Sequence, residues 1–174
     1  MKKLTLYFLL LFFSMNSISQ NGRNGPSLWE EIRTNSKLDY DNTKPQIIEA
    51  LKKYDSHQYL INRLSKNGQR YLFYTVQEAL KRDLPVELSL IPFVESQFDP
   101  YAQSSTGASG IWQFIPSTAL ENGLKKNWWY DARRDIVAST NAAYNFLIKL
   151  NEEHDDWLIA IAAYNAGPSR VRKE

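Results

Sequence analysis

Residues 84–113 read LPVELSLIPFVESQFDPYAQSSTGASGIWQ, an apolar segment with a carboxylate close to its end, followed by a loop of small and hydroxylated residues. That carboxylate belongs to Glu95. Pro92 interrupts the apolar run before it, and Asp99-Pro100 behind it favours a chain reversal. The pattern predicts that Glu95 lies where a buried helix, opened by Pro85, gives way to a loop. Its apolar neighbours in sequence are Ile91, Phe93, Val94 and Phe98.

Apolar surroundings decide what the carboxyl group of Glu95 can do. An ordinary glutamate is almost fully ionised at neutral pH, so it rarely holds a proton to donate. Burial disfavours the charged form and raises the pKa, which suits a general acid. The other interpretation is a helix-end glutamate that faces water. Catalytic groups are often placed where a rigid element meets a loop, and this favours the general acid.

The loop at residues 103–110 reads QSSTGASG. Gly107 and Gly110 permit backbone conformations that other residues avoid, and they let a ligand or another chain segment approach closely. The spacing alone leaves two interpretations open, the wall of a binding cleft and a plain flexible loop.

Three short motifs follow one another in the chain: Val94-Glu95-Ser96, GASGIWQFIPSTA at residues 107–119, and AYNAG at residues 163–167. Together they resemble the lytic transglycosylase family, glycoside hydrolase family 23. NWWYD at residues 127–131, with the Arg-Arg-Asp that ends at Asp135, is similar to the D branch of the membrane-bound enzymes in that family. The resemblance implies a mainly α, lysozyme-like fold of the goose-lysozyme type, with little or no sheet.

The resemblance also implies a reaction, in which Glu95 protonates the glycosidic oxygen between N-acetylmuramic acid and N-acetylglucosamine in peptidoglycan. The acetamide of the muramic sugar then stabilises the positive anomeric centre. Glu95 takes the proton back from the 6-hydroxyl of the same sugar, and a 1,6-anhydro product leaves. Most glycosidases use two carboxylates. Asp99 is the nearest second candidate, but an aspartate before proline more often closes a turn.

The positions that match the family motifs define the expected site. Glu95 is the catalytic residue, acting as acid and then as base. Ser96 follows it and either steadies the loop or caps the helix end. Neither a metal ion nor an organic cofactor is implied, and a monomer is expected. The remaining expected substrate-binding residues are Ser104, Gln113, Tyr164 and Asn165.

The adjacent rings of Trp128, Trp129 and Tyr130 allow two interpretations. They could form a platform on which sugars stack, or they could cap the core beneath a long loop. The core role is favoured. Asp131 is expected to be the N-cap of a helix over residues 133–152.

The remaining helices are expected to be scaffold. Apolar spacing predicts helices from Pro45 to Asn67 and over residues 69–82, a short helix beginning within 111–114, and a turn of helix from Pro116. A helix over residues 157–166, capped by Asp156, is apolar on almost every side and is expected to be central and buried. His57 and His154 lack the companions that a metal site needs.

The N-terminus resembles a secretory signal peptide. Lys2 and Lys3 precede an apolar run at residues 4–13, which is too short to span a bilayer, and Ser17-Ile18-Ser19 suits a cleavage site. We therefore expect residues 1–19 to be removed and the protein to reach the periplasm or cell envelope, with membrane contact only if this segment stays uncleaved. Removal lowers the formal charge from +2 to 0, so the mature chain has no basic excess for nucleic acid.

Three segments follow from these patterns: a signal peptide at 1–19, a leader with helical scaffold at 20–68, and a catalytic domain at 69–174. Residues 27–42 are expected to be poorly ordered, anchored only by a few apolar side chains. The catalytic domain is expected to be shortened at its C-terminus, because the resemblance implies further helices there. A goose-type lysozyme that adds water and a non-catalytic peptidoglycan-binding module are the alternative functions.

Overall fold

The computed structural model describes residues 27–38 and 68–171. The predicted signal peptide and the predicted helix that contains His57 lie outside these residues. The described part is helical, as predicted, and contains isolated β-bridges but no strand. Its elements are α1 (Leu28–Thr34), α2 (Gln69–Lys81), a 3₁₀ helix (Val86–Leu90), α3 (Ile91–Ser96), α4 (Pro116–Glu121), α5 (Ile136–His154), α6 (Trp157–Ala166) and α7 (Pro168–Val171).

Residues 27–42 were expected to be poorly ordered, and helix α1 corrects this expectation for the described part, residues 27–38. Ser27 caps the helix with its side chain, and the carboxylate of Glu30 accepts a hydrogen bond from the backbone N–H of Ser27, which completes a capping box. Ile32 is buried, and the apolar side chains around it pack against the main core. The apolar side chains expected to anchor this segment make the contact: Leu28, Trp29, Ile32 and Leu38.

Helix α2 confirms the prediction for residues 69–82 to within one residue. Leu72, Val76 and Ala79 recur at helical spacing and are buried. Phe73 lies on the other side of the helix, where its side chain is 56% exposed. The buried face of α2 therefore excludes Phe73.

The segment that leads to Glu95 is two helices rather than one. Val86–Leu90 forms a 3₁₀ helix in which every residue is buried, and α3 then begins at Ile91. Pro92 lies in the first turn of α3, where its missing N–H has no helical partner to lose. The proline thus marks the start of the short helix that carries Glu95.

The centre of the core is Trp112, which is fully buried. Its ring meets the ring of Tyr144 on α5 edge to face, with 5.3 Å between centroids, and its indole N–H donates to the hydroxyl of Thr140 at 3.0 Å. The hydroxyl of Tyr144 in turn donates to the carbonyl of Thr75 on α2 at 2.7 Å. The middle of the GIWQ motif is therefore fixed by both long helices.

Helix α5 begins three residues later than predicted. Asp135, and not Asp131, is its N-cap, because the Asp135 carboxylate accepts the backbone N–H of Ala138 at 2.9 Å. Asp131 instead forms an ion pair with Arg133. The backbone N–H of Ala138 stabilises the ionised carboxylate of Asp135 and therefore lowers its pKa.

Helix α6 has the predicted bounds and the predicted cap, because Asp156 accepts the backbone N–H groups of Leu158 and Ile159. The expectation that it is buried on all sides is wrong for the described residues. Only Ala160, Ile161 and Ala163 are buried, and Ile159 is 38% exposed. Within this part of the chain, α6 packs mainly on α5 and α7, so one face stays open.

Across residues 27–38 and 68–171, none of the helices has the length and apolar character required to cross a bilayer.

Candidate active site

Glu95 lies in the last turn of α3 and is half-buried. The chain reverses immediately after this turn through Gln97 and Phe98, whose φ angles are 55° and 59°. Left-handed backbone costs a residue with a side chain about 1–2 kcal/mol. The burial of Phe98, which is 1% exposed, offsets that cost. Glu95 therefore sits beside a strained turn, a feature common at functional sites.

Ser96 ties α3 to the second motif. Its hydroxyl lies 3.0 Å from the carbonyl of Pro92, within the helix, and 2.9 Å from the carbonyl of Ile111. The Ser96 hydroxyl can therefore cap the helix end and steady the loop at the same time, which are the two roles expected for it.

The hydroxyl-rich loop is ordered around Ser104. The Ser104 hydroxyl accepts the backbone N–H of Ala108 at 3.0 Å and lies 2.9 Å from the hydroxyl of Thr106. The backbone N–H of Ser104 donates to the carbonyl of Ala108 at 2.9 Å. Ser104 remains partly open to solvent, so its hydroxyl can also meet a ligand. Within the described residues, these hydrogen bonds give the loop a defined conformation, which favours the cleft-wall interpretation.

Gly110 is required by the close approach of another chain segment. Its φ is +82°, and a Cβ atom at this position would lie 1.8 Å from the carbonyl oxygen of Arg133. No side chain can be accommodated at that distance. The glycine thus lets the loop lie directly against the backbone that precedes α5.

Arg133 clamps the same loop from the other side. Its side chain, which belongs to a residue only 4% exposed, donates to the carbonyl of Gly107 at 2.7 Å and to that of Phe114 at 3.1 Å. The rest of the guanidinium group pairs with both carboxylate oxygens of Asp131, at 2.9 and 2.7 Å. This two-point pairing with Arg133 lowers the pKa of Asp131.

Gln113 is directed at the loop backbone. Its side-chain amide nitrogen donates to the carbonyl of Gly110 at 2.8 Å and to that of Ala102 at 3.2 Å. Its own φ is 50°, and residues 111–113 form a turn rather than the predicted short helix. The amide nitrogen thus shapes the loop, which leaves the amide oxygen as the group for a ligand.

Tyr164 and Asn165 lie near the end of α6. The phenol of Tyr164 donates to the carbonyl of Trp112 at 2.9 Å, and its ring meets the rings of Trp112 and Phe114 edge to face. The amide nitrogen of Asn165 donates to the carbonyl of Ile161 at 3.0 Å. Tyr164 therefore makes a structural hydrogen bond, and this bond fixes its ring against the second motif.

The three motifs meet at residues 110–113. Ser96 donates to the carbonyl of Ile111, Tyr164 to that of Trp112, and Gln113 to that of Gly110. Burial raises the pKa of Tyr164 well above its ordinary value, and the negative charge of Glu95 raises it further. Glu95 directly precedes Ser96, so its backbone lies next to the point at which the motifs meet.

Asp99 has the role of a turn residue. Its carboxylate accepts the backbone N–H of Tyr101 at 2.9 Å, and the residue is exposed. This geometry agrees with the interpretation of Asp99-Pro100 as a chain reversal.

The prediction that the Trp-Trp-Tyr run caps the core is wrong. Trp128 and Trp129 are 86% and 89% exposed, and Tyr130 is also exposed. The physical reason is the turn itself. The side chain of Asn127 accepts the backbone N–H groups of Trp129 and Tyr130, at 2.9 and 2.8 Å, so the chain folds back on itself and directs the indoles outward.

Sequence reasoning missed the clamp formed by Arg133. The sequence signal was an arginine two residues after an aspartate, a spacing that allows the two side chains to pair. A buried guanidinium requires further acceptors as well. The partner carbonyls at Gly107 and Phe114 carry no such signal, since any residue supplies a carbonyl.

Residues 74–174 match the family model of the transglycosylase SLT domain. Over 129 residues the chain is 46% identical to membrane-bound lytic murein transglycosylase D of Escherichia coli (strain K12), covering 74% of this chain and 28% of that protein. It is 45% identical over 108 residues to a putative tributyltin chloride resistance protein of Alteromonas sp. (strain M-1), covering 62% and 52%. A putative soluble lytic murein transglycosylase of Haemophilus influenzae (strain ATCC 51907 / DSM 11121 / KW20 / Rd) is 35% identical over 83 residues, covering 45% and 14%.

The matched region thus spans about half, or less, of each of these relatives. It includes Ser96, which follows Glu95, and Tyr164, and both of these residues donate hydrogen bonds to backbone carbonyls of the second motif. The sequence resemblance to lytic transglycosylases is confirmed by the family match and by the relatives. The chain belongs to the transglycosylase SLT domain family.

Proposed function

We propose that this protein is a peptidoglycan lytic transglycosylase that cleaves the β-1,4 bond between N-acetylmuramic acid and N-acetylglucosamine. The observation that carries the proposal is the meeting of three sequence motifs at residues 110–113, with Glu95 beside them. A cleavage that uses a single carboxylate needs that carboxylate, a rigid loop that carries hydroxyl and amide groups, and access for the substrate.

Glu95 acts first as the acid. Its proton passes to the glycosidic oxygen as the bond from that oxygen to the anomeric carbon of the muramic sugar breaks. The acetamide oxygen of the same sugar stabilises the positive carbon. The Glu95 carboxylate then removes the proton of the 6-hydroxyl, whose oxygen bonds to the anomeric carbon. The carboxyl group ends protonated, no water is consumed, and acid-base help of this kind contributes about 10²- to 10⁴-fold.

The burial of its neighbours supports this role for Glu95. Ile91, Phe93 and Phe98 are almost fully buried around the turn, while Glu95 itself is half-buried. A carboxyl group with this mixture of apolar contact and access can hold a proton and still reach a substrate.

The other site residues are assigned positioning roles. The Ser104 hydroxyl orients the acetamide, and the Gln113 amide oxygen accepts a hydrogen bond from a sugar hydroxyl or amide. Tyr164 and Asn165 form the floor beside Glu95, and Ser96 holds the helix end that carries it. These roles are supported by the partial exposure of Ser104 and Gln113 and by the contacts of Tyr164 with the second motif.

We also propose that the protein works in the cell envelope. This follows from the substrate, which lies outside the inner membrane, and from the signal-like segment at residues 1–19. We also propose that residues 20–68 form a leader with helical scaffold and that residues 69–174 form the catalytic domain. The described helix α1 packs on the catalytic core, so the functional unit includes residues from the first of these two segments.

The test is replacement of Glu95 by Gln, which keeps the shape of the side chain and removes its proton. Wild-type protein should release anhydromuropeptides from purified peptidoglycan, whereas the E95Q variant should lose at least about 10²-fold in rate. The matched control is Asp99→Asn, which removes the nearest other carboxylate from an exposed turn and should retain activity. Release of anhydromuropeptides by E95Q at the wild-type rate would show that another group is the acid.

A further inference from the structure

The most exposed large apolar side chains of the described residues lie side by side in one turn. Trp128 is 86% exposed and Trp129 is 89% exposed, in a turn over residues 125–131 that we call the aromatic turn. The two indoles meet edge to face at right angles, with 6.3 Å between centroids. Burying a large aromatic side chain is favourable. Two indoles left in water therefore serve something other than the stability of this fold.

The aromatic turn is rigid in its backbone. Asn127 accepts two backbone N–H groups with its side chain, and its own N–H donates to the carbonyl of Tyr130 at 2.8 Å. Lys126 and Asp131 pair as a β-bridge, and the phenol of Tyr130 donates to the carboxylate of Asp135 at 2.9 Å. The turn is thus fixed before any ligand arrives, which reduces the entropy lost on binding.

The same turn is joined to the candidate active site. Asp131, its last residue, accepts hydrogen bonds from Nε and Nη2 of Arg133. The remaining nitrogen, Nη1, donates to the carbonyls of Gly107 and Phe114 in the second motif. The aromatic turn and this motif therefore form one connected unit. A polymer bound by the turn would be held in a fixed relation to the motif.

We propose that Trp128 and Trp129 form an additional binding surface for N-acetylated sugars of a peptidoglycan strand, outside the pair of sugars that reacts. The apolar C–H face of a pyranose ring stacks on a flat indole, and the two open indoles offer two such faces. Lys125 and Lys126 are exposed beside them, where they meet the carboxylates of stem peptides. This inference rests on the proposed function for the identity of the polymer.

Charge favours a glycan over a membrane as the occupant. Exposed tryptophans also occur at membrane interfaces. However, segments that bind anionic lipid headgroups carry clusters of about four to eight basic residues. The aromatic turn has two lysines, together with the polar side chain of Asn127 and the carboxylate of Asp131. This positive charge is too small to hold the turn at an anionic membrane surface. It is sufficient to complement the scattered carboxylates of stem peptides.

The test compares the full chain with the double variant Trp128→Ala/Trp129→Ala. Binding to insoluble peptidoglycan is measured by sedimentation, with E95Q present in both proteins so that no strand is cut. We expect the double variant to bind about tenfold more weakly. With Glu95 intact, its KM for intact peptidoglycan should rise by about the same factor. The rate on a soluble disaccharide of N-acetylmuramic acid and N-acetylglucosamine, which fills only the two reacting positions, should not change.

Phe73→Ala is the matched control, because it removes an exposed aromatic ring from a different element, helix α2. It should bind peptidoglycan as the unaltered chain does. Unchanged binding by the double variant would overturn the proposal. So would a loss of binding confined to vesicles of phosphatidylethanolamine and phosphatidylglycerol, since the turn would then contact membrane.

The two proposals fail in different ways. If the unaltered chain releases no anhydro product but loses peptidoglycan binding on substitution of the tryptophans, the binding surface stands and the reaction is wrong. If it releases anhydro product and the tryptophans affect neither binding nor KM, the reaction stands and the binding surface is wrong.

Discussion

At the scale of single residues, the site depends on backbone conformations that the sequence only partly reveals. Gly107 and Gly110 have positive φ, as glycine in such a loop suggests. Gln97, Phe98 and Gln113 also have positive φ, although each carries a side chain. Gln97 and Phe98 follow the first motif, and Gln113 belongs to the second. Their residue types give no indication of a strained backbone. Their cost is offset by the burial of Phe98 and by hydrogen bonds to nearby carbonyls, such as those that Gln113 donates to Gly110 and Ala102.

Gly110 and Gly123 provide a matched pair for the effect of one methyl group. At Gly110 a Cβ would overlap the carbonyl of Arg133, whereas at Gly123, whose φ is +77°, nothing lies within 4 Å. We expect Gly123→Ala to lower the free energy of unfolding by about 1 kcal/mol, from backbone strain alone. Gly110→Ala should cost several times more and abolish activity. Urea denaturation of both variants checks this, and equal losses would show that the loop does not press on the Arg133 backbone.

At the scale of elements, two links hold the catalytic helix in place. The first is Glu87 in the 3₁₀ helix, which is 1% exposed and whose carboxylate oxygen accepts the hydroxyl of Ser36 and the backbone N–H groups of Lys37 and Leu38. The second is the pairing of Lys37 with Asp83. The segment that follows α1 is thereby fastened to the helix that leads into Glu95.

Glu87→Ala should release that segment. Three hydrogen bonds are lost at once, so we expect the free energy of unfolding to fall by about 3 kcal/mol. Trypsin should then cut faster after Arg33 and Lys37, which mass analysis of the early peptides detects. Glu121→Ala, an exposed change on α4, is the control and should leave both readouts within error. Unchanged cleavage in Glu87→Ala would mean that the carboxylate does not hold the segment.

The N-cap of α5 gives a prediction about pH. The pKa of Asp135 is lowered in the folded protein, chiefly by the N–H of Ala138. Its contribution is therefore present above the ordinary aspartate pKa of about 3.9 and is lost as pH falls through the lowered value. Asp135→Ala should cost about 1 kcal/mol at neutral pH and less at pH values below this range.

Asp135→Asn is the control, because asparagine is also a good cap and does not titrate. Urea denaturation at neutral and strongly acidic pH measures the difference from wild type for each variant. A deficit in Asp135→Ala that is as large in acid as at neutral pH would contradict a role for the ionised cap.

At the scale of the whole molecule, the sequence was most informative where a local rule determined the outcome. Helix α6 and its cap at Asp156 were predicted to the residue, since an aspartate before an apolar run and a Gly-Pro after it are local signals. The helical fold and the transglycosylase resemblance were predicted as well. The start of α5 was misplaced because two aspartates precede it, and only the position of Arg133 shows that the first is engaged elsewhere.

The candidate site was also predictable from the sequence only in part. The motifs identified Glu95 and its companions, because residue types and spacing carry that information. The clamp by Arg133 and the carbonyl partners of Ser96, Gln113 and Tyr164 depend on backbone atoms of distant residues, which every residue type possesses. The exposed tryptophans were misjudged because an apolar residue on its own does not reveal whether packing partners reach it.

The central claim is that a single carboxylate gives a proton and takes it back without water entering the reaction. The direct measurement is mass spectrometry of the new muramic acid ends after digestion of purified peptidoglycan in water labelled with heavy oxygen. We expect muramic acid ends that are lighter than a hydrolysed sugar by the mass of one water and that carry no heavy oxygen. Labelled reducing ends would show that water is the nucleophile, as in a goose-type lysozyme, and would contradict it.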